Sequence, residues 1–281
     1  MNTEERHLIV AKIQKSLDLI DAQIKEHCPI RVFGLFSGGH DSFSSTYIAS
    51  FHPEFSGAVH INTGIGIEAT RAYVRDTCAN RKWKLLEYFA AKNRNAKGEL
   101  DPKVYEDIVK RFGFPGPGGH GIMYVQLKER CLKMLEREFA ASARGKDKRR
   151  IMYVGGCRRQ ESVRRMANVD ICKVDGRRIW VNPIYDWSKL DTSYCLEYAK
   201  QERNLVVDLI HKSGECLCGA FAKPNELEEL NQFDITRPAY EEILRIQKEV
   251  EKCNQHAMWG KRPAKRCGTP LLPGMLCHSC K

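Results

Sequence analysis

The stretch that decides the fold is Arg31-Val-Phe-Gly-Leu-Phe-Ser-Gly-Gly-His-Asp-Ser42. Its first half, residues 31–36, is a short apolar run that predicts a buried strand, and a helix is expected over residues 41–51. The two glycines between them allow positive φ and a close approach of the backbone to a ligand. The helix would direct its first N–H groups and the positive end of its dipole at that ligand. The sequence therefore predicts an anion-binding turn; a glycine-rich connection without a ligand is the alternative.

This turn differs from the phosphate loop of common nucleoside triphosphatases. Those loops follow the pattern G-x-x-x-x-G-K-[ST], in which the lysine reaches the β- and γ-phosphates. The turn here consists of Ser37, Gly38, Gly39, His40, Asp41 and Ser42. It has no lysine, but its two serines add hydroxyl donors. The pattern therefore indicates phosphate binding without indicating cleavage at the γ-phosphate.

Strands and helices alternate around the turn. Isoleucines and a leucine at spacings of three and four, from Ile9 to Ile24, predict an amphipathic helix before it. The other elements expected up to residue 154 are strands over 58–61, 84–88 and 151–154, helices over 68–82 and 123–143, and a glycine- and proline-rich loop over 112–120. This order is typical of parallel βαβ units. We therefore expect an α/β fold with a doubly wound, mostly parallel, Rossmann-like sheet.

The amino-acid composition changes toward the C-terminal part of the sequence. Residues 169–174 and 178–182 are expected to form a hairpin, with Asp175-Gly176 as its two-residue turn. Helices are expected over 192–203, 224–230 and 238–255. Cysteines and prolines become frequent after about residue 211. We expect an N-terminal helix over 1–29, a nucleotide-binding α/β domain over 30–211, and a small, helical, cysteine-rich extension over 212–281.

Composition limits the class of protein. The 281 residues are 42% hydrophobic and 29% charged, a balance that excludes wholesale disorder. No apolar run approaches the roughly 20 residues of a membrane span, and the N-terminus has no apolar signal core, so we expect a cytoplasmic protein without a membrane partner. The formal net charge of +11 favours anionic partners such as nucleotides or a nucleic-acid backbone. A solubilising surface is the alternative.

Four segments, in order, resemble one known family. Ser37-Gly-Gly-His-Asp-Ser42 resembles the PP-loop of N-type ATP pyrophosphatases and phosphoadenosine phosphosulfate (PAPS) reductases, members of the adenine nucleotide alpha hydrolase superfamily. The later matches are His60-Ile-Asn-Thr-Gly64 with Glu68-Ala-Thr70, similar to "NTG…ET"; Gly156-Cys-Arg-Arg-Gln-Glu-Ser-Val-Arg-Arg165, similar to "G-x-R-x-x-E-S-x-R"; and Asn182-Pro-Ile184 with Asp186-Trp187, similar to "P-I-x-x-W". Together they span about residues 31–200.

The resemblance implies a role for each matching residue. It implies that ATP lies with its phosphates on residues 37–42, that Mg²⁺ lies near Asp41, and that Thr63 and Gly64 line the adenosine pocket. Arginines suit phosphate because their planar fork binds it bidentately. The remaining residues expected to contact the nucleotide are Arg158, Glu161, Ser162, Arg164 and Arg165, and the expected catalytic set is Ser37, Asp41, Arg158 and Arg164. Glu161 would orient an arginine. A surface helix with ion pairs is the alternative for this segment.

Departures from the family pattern bear on the reaction. Sulfonucleotide reductases end in a catalytic "E-C-G-L-H" motif, whereas this chain ends in Cys277-His-Ser-Cys280-Lys281 and has no adjacent cysteines. The resemblance is therefore greatest to ATP pyrophosphatases that act in sulfur transfer, such as the DNA phosphorothioation (Dnd/Ssp-type) enzymes and their phage relatives. It implies DNA as acceptor and a cysteine desulfurase as sulfur donor. A sulfonucleotide reductase and a catalytically silent nucleotide-binding subunit are the alternatives.

Twelve cysteines are many for a cytoplasmic protein, where clustered thiols suggest metal binding. Two short-spaced pairs stand out, Cys216 with Cys218 and Cys277 with Cys280. Two such pairs can hold a [4Fe–4S] cluster or Zn²⁺, and a metal would order the proline-rich tail. Similarity to PP-loop sulfur-transfer enzymes favours the cluster. Cys267 is an alternative to one member of the first pair, and unliganded thiols are the alternative to a metal.

Overall fold

The computed structural model describes residues 1–90, 103–140, 150–160 and 169–261. Its strands are β1 (Arg31–Leu35), β2 (Phe55–Asn62), β3 (Leu85–Phe89), β4 (Ile151–Val154), β5 (Cys172–Asp175) and β6 (Arg178–Val181). Its helices are α1 (Thr3–His27), α2 (His40–Ala49), α3 (Glu68–Arg81), α4 (Val104–Phe112), α5 (His120–Tyr124), α6 (Arg130–Ala140), α7 (Lys189–Tyr198), α8 (Leu205–Ile210), α9 (Glu226–Asn231) and α10 (Arg237–Glu251).

The six strands form one sheet in the order β3-β2-β1-β4-β6-β5. β1 pairs in parallel with β2 on one side and with β4 on the other, and β4 pairs in parallel with β6. β5 is antiparallel to β6 and closes the edge. The α/β class and the mostly parallel sheet are therefore confirmed. Because the chain order reverses direction at β1, ligands are expected at the carboxyl end of this strand.

Contacts divide the chain into two compact units, each assembled from three segments. The first comprises residues 1–60, 73–86 and 134–204, and the second comprises residues 61–72, 87–133 and those from 205 onward. Buried side chains of α1, namely Ile9, Ile13 and Ile20, pack in the first unit with β-strand residues such as Val32 and Met152. Each such buried side chain contributes about 2 kcal/mol of hydrophobic stabilisation. The predicted amphipathic helix is thus confirmed.

One close contact fixes α2 on the sheet. A Cβ built on Gly34, in the middle of β1, would lie 2.6 Å from Cγ2 of Thr46. Real side chains do not approach that closely, so only glycine lets α2 lie against β1 at this distance. The contact determines where the turn between β1 and α2 is placed.

Several local elements differ from expectation. Helices α4 and α8 were not predicted from the sequence. The glycine-rich loop holds a 3₁₀ turn over Pro117–Gly119, and α5 begins at His120. In the hairpin Asp175 pairs with Arg178, so the turn is one residue later than predicted and contains Gly176 with φ 59°. Among the described residues, no helix has both the length and the apolar composition to cross a membrane.

In the second unit a buried carboxylate joins α4 to α10. Glu106 Oε2 lies 2.6 Å from an Nη of Arg245, and its Oε1 lies 2.6 Å from Nζ of Lys110. The hydrogen bond from Arg245, with a further one from Lys110, lowers the pKa of Glu106 from 4.5 to about 2, although burial acts to raise it. Because the folded-state pKa is the lower one, the ionised group stabilises the fold above about pH 4.5. That contribution is lost as the pH falls toward 2.

We expect Glu106→Gln to lower the free energy of unfolding by about 2 kcal/mol at pH 7, because the charge-assisted contacts are lost. The deficit should shrink as the pH falls from 4.5 toward 2. Denaturant unfolding of variant and wild type at pH 7 and pH 3 measures both effects. Glu242→Gln is the matched control, since this exposed carboxylate also contacts Arg245, at 2.7 Å, and should cost less than about 1 kcal/mol. An equal loss of unfolding free energy at both pH values would contradict a stabilising role for the ionised Glu106 carboxylate.

Candidate nucleotide-binding site

The turn after β1 has the backbone of an anion-binding loop. The N–H of Phe36 donates to the carbonyl of Val59 at 2.9 Å, which holds the start of the turn on the sheet. Gly38 then adopts φ 81°, a left-handed conformation that favours glycine. Gly39 is the N-cap of α2 and offers no capping side chain. The first turn of α2 therefore points its amide groups and positive dipole end out of the turn, as an anion site requires.

Two serines close the turn on itself. The hydroxyl of Ser42 donates to the carbonyl of Gly39 at 2.8 Å, and the Ser37 N–H donates to the Ser42 oxygen at 3.2 Å. The Ser37 hydroxyl also lies 3.2 Å from that oxygen. Ser42 thus shapes the loop from within, whereas Ser37 is exposed at its mouth. Of the two predicted hydroxyl donors, Ser37 is the one placed to reach a ligand.

Residues far along the chain support the loop. His60 Nδ1 lies 2.8 Å from the carbonyl oxygen of Phe36, and the side-chain amide of Asn204 donates to the carbonyl of Gly38 at 2.9 Å. An Nη of Arg203 lies 3.3 Å from Nδ1 of His40. His60 and Asn204 are buried. Sequence reasoning missed Arg203 and Asn204 as site residues, because no local motif marks them.

Gly156 brings the end of β4 against the loop. A Cβ built on this residue would lie 2.7 Å from the carbonyl carbon of Asp41 and from the amide nitrogen of Ser42. Both are backbone atoms in the first turn of α2, which cannot give way as a flexible side chain can. Any side chain at this position would therefore displace the loop.

Two residues beyond this contact, Arg158 forms an ion pair with Asp41. Its Nε lies 2.8 Å from Oδ1 of Asp41, and the side chains are 9% and 21% exposed. The Nε–H is not directed at a hydrogen-bond acceptor, so the contact is an ion pair without a well-formed hydrogen bond. The fold thus unites two of the predicted catalytic residues. It places a buried guanidinium beside the amide groups of the turn.

The structure does not test the remaining predicted contacts of the nucleotide. Glu161, Ser162, Arg164 and Arg165 lie outside the described residues. Thr63 and Gly64 belong to the second unit. There the Thr63 N–H donates to Oε1 of Glu215 at 3.0 Å, and its hydroxyl donates to the Glu215 carbonyl at 2.6 Å. Their role at the adenosine stays a prediction.

The loop that contains Cys216 and Cys218 is held by backbone contacts within the second unit. The N–H of Leu217 donates to the carbonyl of Ile65 at 2.8 Å, and the hydroxyl of Tyr105 donates to the carbonyl of Cys218 at 3.0 Å. Cys218 is buried and Cys216 is partly buried. Arg71 Nε lies 3.3 Å from Oε2 of Glu215, next to Cys216.

Only some of the predicted metal ligands are among the described residues. Among the described residues no three or more histidine, cysteine or acidic side chains are grouped so that they could hold a metal ion. Cys267, Cys277 and Cys280 lie outside those residues, so the four-cysteine set stays a prediction. Burial raises the pKa of Cys78, Cys131 and Cys195 to about 12, which keeps these thiols protonated and unreactive.

Taken together, the switch point at β1, the glycine turn and the buried arginine define a nucleotide-binding protein of the α/β class. Residues 31–213 match the model of the phosphoadenosine phosphosulfate reductase domain. This match covers more than half of the chain, and the chain belongs to that family.

Two solved structures are similar to this chain. The first is the PAPS reductase of Candida auris in a phosphate complex, with 14% identity and a TM-score of 0.49, covering 74% of this chain and 92% of the other. The second is the FMN adenylyltransferase of Candida glabrata in complex with FAD and inorganic pyrophosphate, with 11% identity and a TM-score of 0.45, covering 72% of this chain and 60% of the other. No curated protein matches the sequence.

Proposed function

We propose that this protein is a cytoplasmic ATP pyrophosphatase that activates an acceptor for sulfur transfer. The observation that carries the proposal is the turn over residues 37–42, which leads into an uncapped helix N-terminus whose Asp41 pairs with the buried Arg158. Membership in the PAPS reductase domain family supports an adenine nucleotide as the ligand. The absence of a lysine from the turn supports a bond other than the γ-phosphoanhydride as the one that is cleaved.

The reaction would begin with ATP lying with its phosphates on the turn. An acceptor oxygen attacks the α-phosphorus, the α–β bond breaks, and pyrophosphate leaves with its electron pair. The helix amide groups and the guanidinium of Arg158 stabilise the charge that develops on the phosphate oxygens. Arg164 and Arg165 are proposed to add to this charge, Glu161 and Ser162 to orient them, and Thr63 and Gly64 to contact the adenosine.

A magnesium ion fits the chemistry of the donors at the turn. Mg²⁺ is bound in such sites by one or two carboxylates together with phosphate oxygens and water. Asp41 supplies one carboxylate at the first turn of α2, and it would have to share that group with Arg158. When bound, the ion would neutralise charge on the departing pyrophosphate.

The acceptor and the sulfur source make up the second half of the proposal. A persulfide sulfur from a cysteine desulfurase would attack the adenylylated acceptor and displace AMP, which leaves the acceptor joined to the desulfurase by a disulfide. A second thiol would then reduce that disulfide and release the thiolated acceptor. The net charge of +11 supports DNA as that acceptor, as in phosphorothioate modification. We propose that Cys216, Cys218, Cys277 and Cys280 hold a [4Fe–4S] cluster or Zn²⁺, although the described residues alone do not form such a site. Protein that is purified without iron, zinc or acid-labile sulfide would contradict this part.

A sulfonucleotide reductase is the second candidate, and the family match over residues 31–213 favours it. It would bind PAPS on the same turn and reduce its sulfonate to sulfite with a thiol donor. Residues 1–281 contain no "E-C-G-L-H" motif of the kind that those reductases carry. A silent nucleotide-binding subunit is the third possibility.

An analysis of the reaction products distinguishes the three candidate functions. With α-labelled ATP, Mg²⁺, a DNA duplex as acceptor and a persulfide as sulfur donor, we expect AMP and pyrophosphate to form and ADP not to form. In a parallel reaction PAPS with reduced thioredoxin should yield no sulfite. Formation of ADP would contradict the proposed bond cleavage. Sulfite would assign the reductase, and tight nucleotide binding without turnover of either substrate would assign the silent subunit.

A further inference from the structure

A second recess lies in the first unit, at the edge of the sheet opposite the turn. It occupies about 520 Å³ between the loop that joins α2 to β2 and the loop that joins α3 to β3. β2 begins at Phe55 and runs parallel to β1, whereas the phosphate-binding turn follows the carboxyl end of β1. Because β1 has five residues, the two sites are about 16 Å apart along the strand. A single mononucleotide cannot fill both.

Aromatic side chains form the walls of this recess, which we call the aromatic groove. Tyr47 and Phe51 lie on one side, with ring centroids 4.8 Å apart. Phe55 and Trp83 lie on the other, with centroids 6.2 Å apart. Phe51 is 49% exposed at the rim. All four rings thus remain partly open to a ligand that presents flat faces.

The groove is also cationic. Arg81, Lys82 and Lys84 line it, and none of its lining residues is acidic. No carboxylate among the described residues pairs with any of these three cations. Arg81 is held in place, since its Nε donates to Oε1 of Gln201 at 3.1 Å and its Cζ lies 5.2 Å from the centroid of the Tyr47 ring. Both lysines are exposed.

We propose that the aromatic groove binds single-stranded nucleic acid. Rings interleaved with cations are the arrangement by which proteins hold single strands, with bases stacked on the rings and phosphates near the cations. A duplex keeps its bases stacked inside and would not offer them to Phe51 or Trp83. The groove would anchor a strand apart from the turn at which the nucleotide is bound. This inference stands independently of the proposed ATP reaction, and its test contains no ATP.

Fluorescence anisotropy with a labelled oligodeoxythymidylate of about 12 nucleotides tests the groove at low salt. We expect binding by wild type, and for Phe51→Ala a dissociation constant about 5- to 150-fold higher, because one stacking contact is lost. Phe112→Ala is the matched control: this phenylalanine is 50% exposed and lies beside Arg111, whose Cζ is 5.0 Å from the ring centroid. The control should bind as wild type does.

A charge variant keeps the proposal testable if Phe51→Ala proves unstable. Lys82 has φ 57°, which asparagine tolerates, so Lys82→Asn removes the charge without backbone strain. It should reduce the slope of log K against log salt by about 0.7. No binding by wild type, equal losses in Phe51→Ala and Phe112→Ala, or a loss of duplex binding in Phe51→Ala equal to its loss of single-strand binding would each overturn the proposal.

Discussion

Replacing Gly156 by alanine is expected to slow pyrophosphate release by about 100-fold or more and to weaken nucleotide binding. The added Cβ would lie 2.7 Å from backbone atoms of Asp41 and Ser42, so either the first turn of α2 or the end of β4 must move. Displacements of about 1 Å in a positioned site cost about 10²-fold in rate. Isothermal titration with ATP measures the affinity, and pyrophosphate release measures the rate.

Gly155→Ala is the matched control for this experiment. Its Cβ would also meet an atom at 2.7 Å, but that atom is Oδ1 of the Asn182 side chain, whose shift would affect its hydrogen bond to the carbonyl of Asp170 and leave the backbone of α2 in place. We expect this variant to bind ATP nearly as wild type does. Wild-type affinity in Gly156→Ala would show that the turn does not hold the phosphates, and would remove the basis of the proposed function.

Arg158→Ala is expected to slow pyrophosphate release by about 10²- to 10³-fold. The change removes the one buried guanidinium that the described residues place at the turn, and with it the donors to the developing charge. Arg158→Lys should recover only part of the rate, because an ammonium group lacks the planar fork. Steady-state kcat/KM for AMP formation from ATP measures each variant.

The neighbouring arginine provides the control. Arg159 is exposed, and its backbone N–H donates to the carbonyl of Tyr185 at 2.7 Å, a bond that alanine retains. Arg159→Ala should therefore keep nearly the full rate. If Arg158→Ala keeps the wild-type rate as well, Arg158 stabilises the fold without acting on the phosphates. Thermal unfolding of both variants separates a loss of activity from a loss of structure.

The parts of the fold that were predictable are those with a local signal. The apolar run at residues 31–36 and the alternation that follows it predicted β1 and the parallel sheet, because strand and helix periods are visible within a few residues. Helix α4 was missed because it begins after Lys103 without a capping side chain, so no start signal marks it in the sequence. The hairpin turn moved by one residue because register is fixed by pairing across strands, here Asp175 with Arg178.

The candidate nucleotide-binding site was likewise predictable only where the sequence carries a local signal. Residues 37–42 form a contiguous motif, and both the turn and its helix were predicted from it. The contacts that hold the turn in place come from His60 and Asn204, which no spacing rule connects to it. Gly156 was quoted within a motif, but its close approach to α2 depends on how β4 packs beside β1. The position of the turn therefore depends on long-range packing, which a local sequence pattern does not reveal.

The two serines of the turn have a consequence for the thermodynamics of recognition. Ser37 and Ser42 hydrogen-bond to each other, and the Ser42 hydroxyl donates to the carbonyl of Gly39, so the loop acquires its curvature during folding, from interactions within the chain. A polyanion that arrives there need not order a mobile segment, so little conformational entropy is lost on association. Discrimination among adenine nucleotides must then come from groups outside this preformed turn.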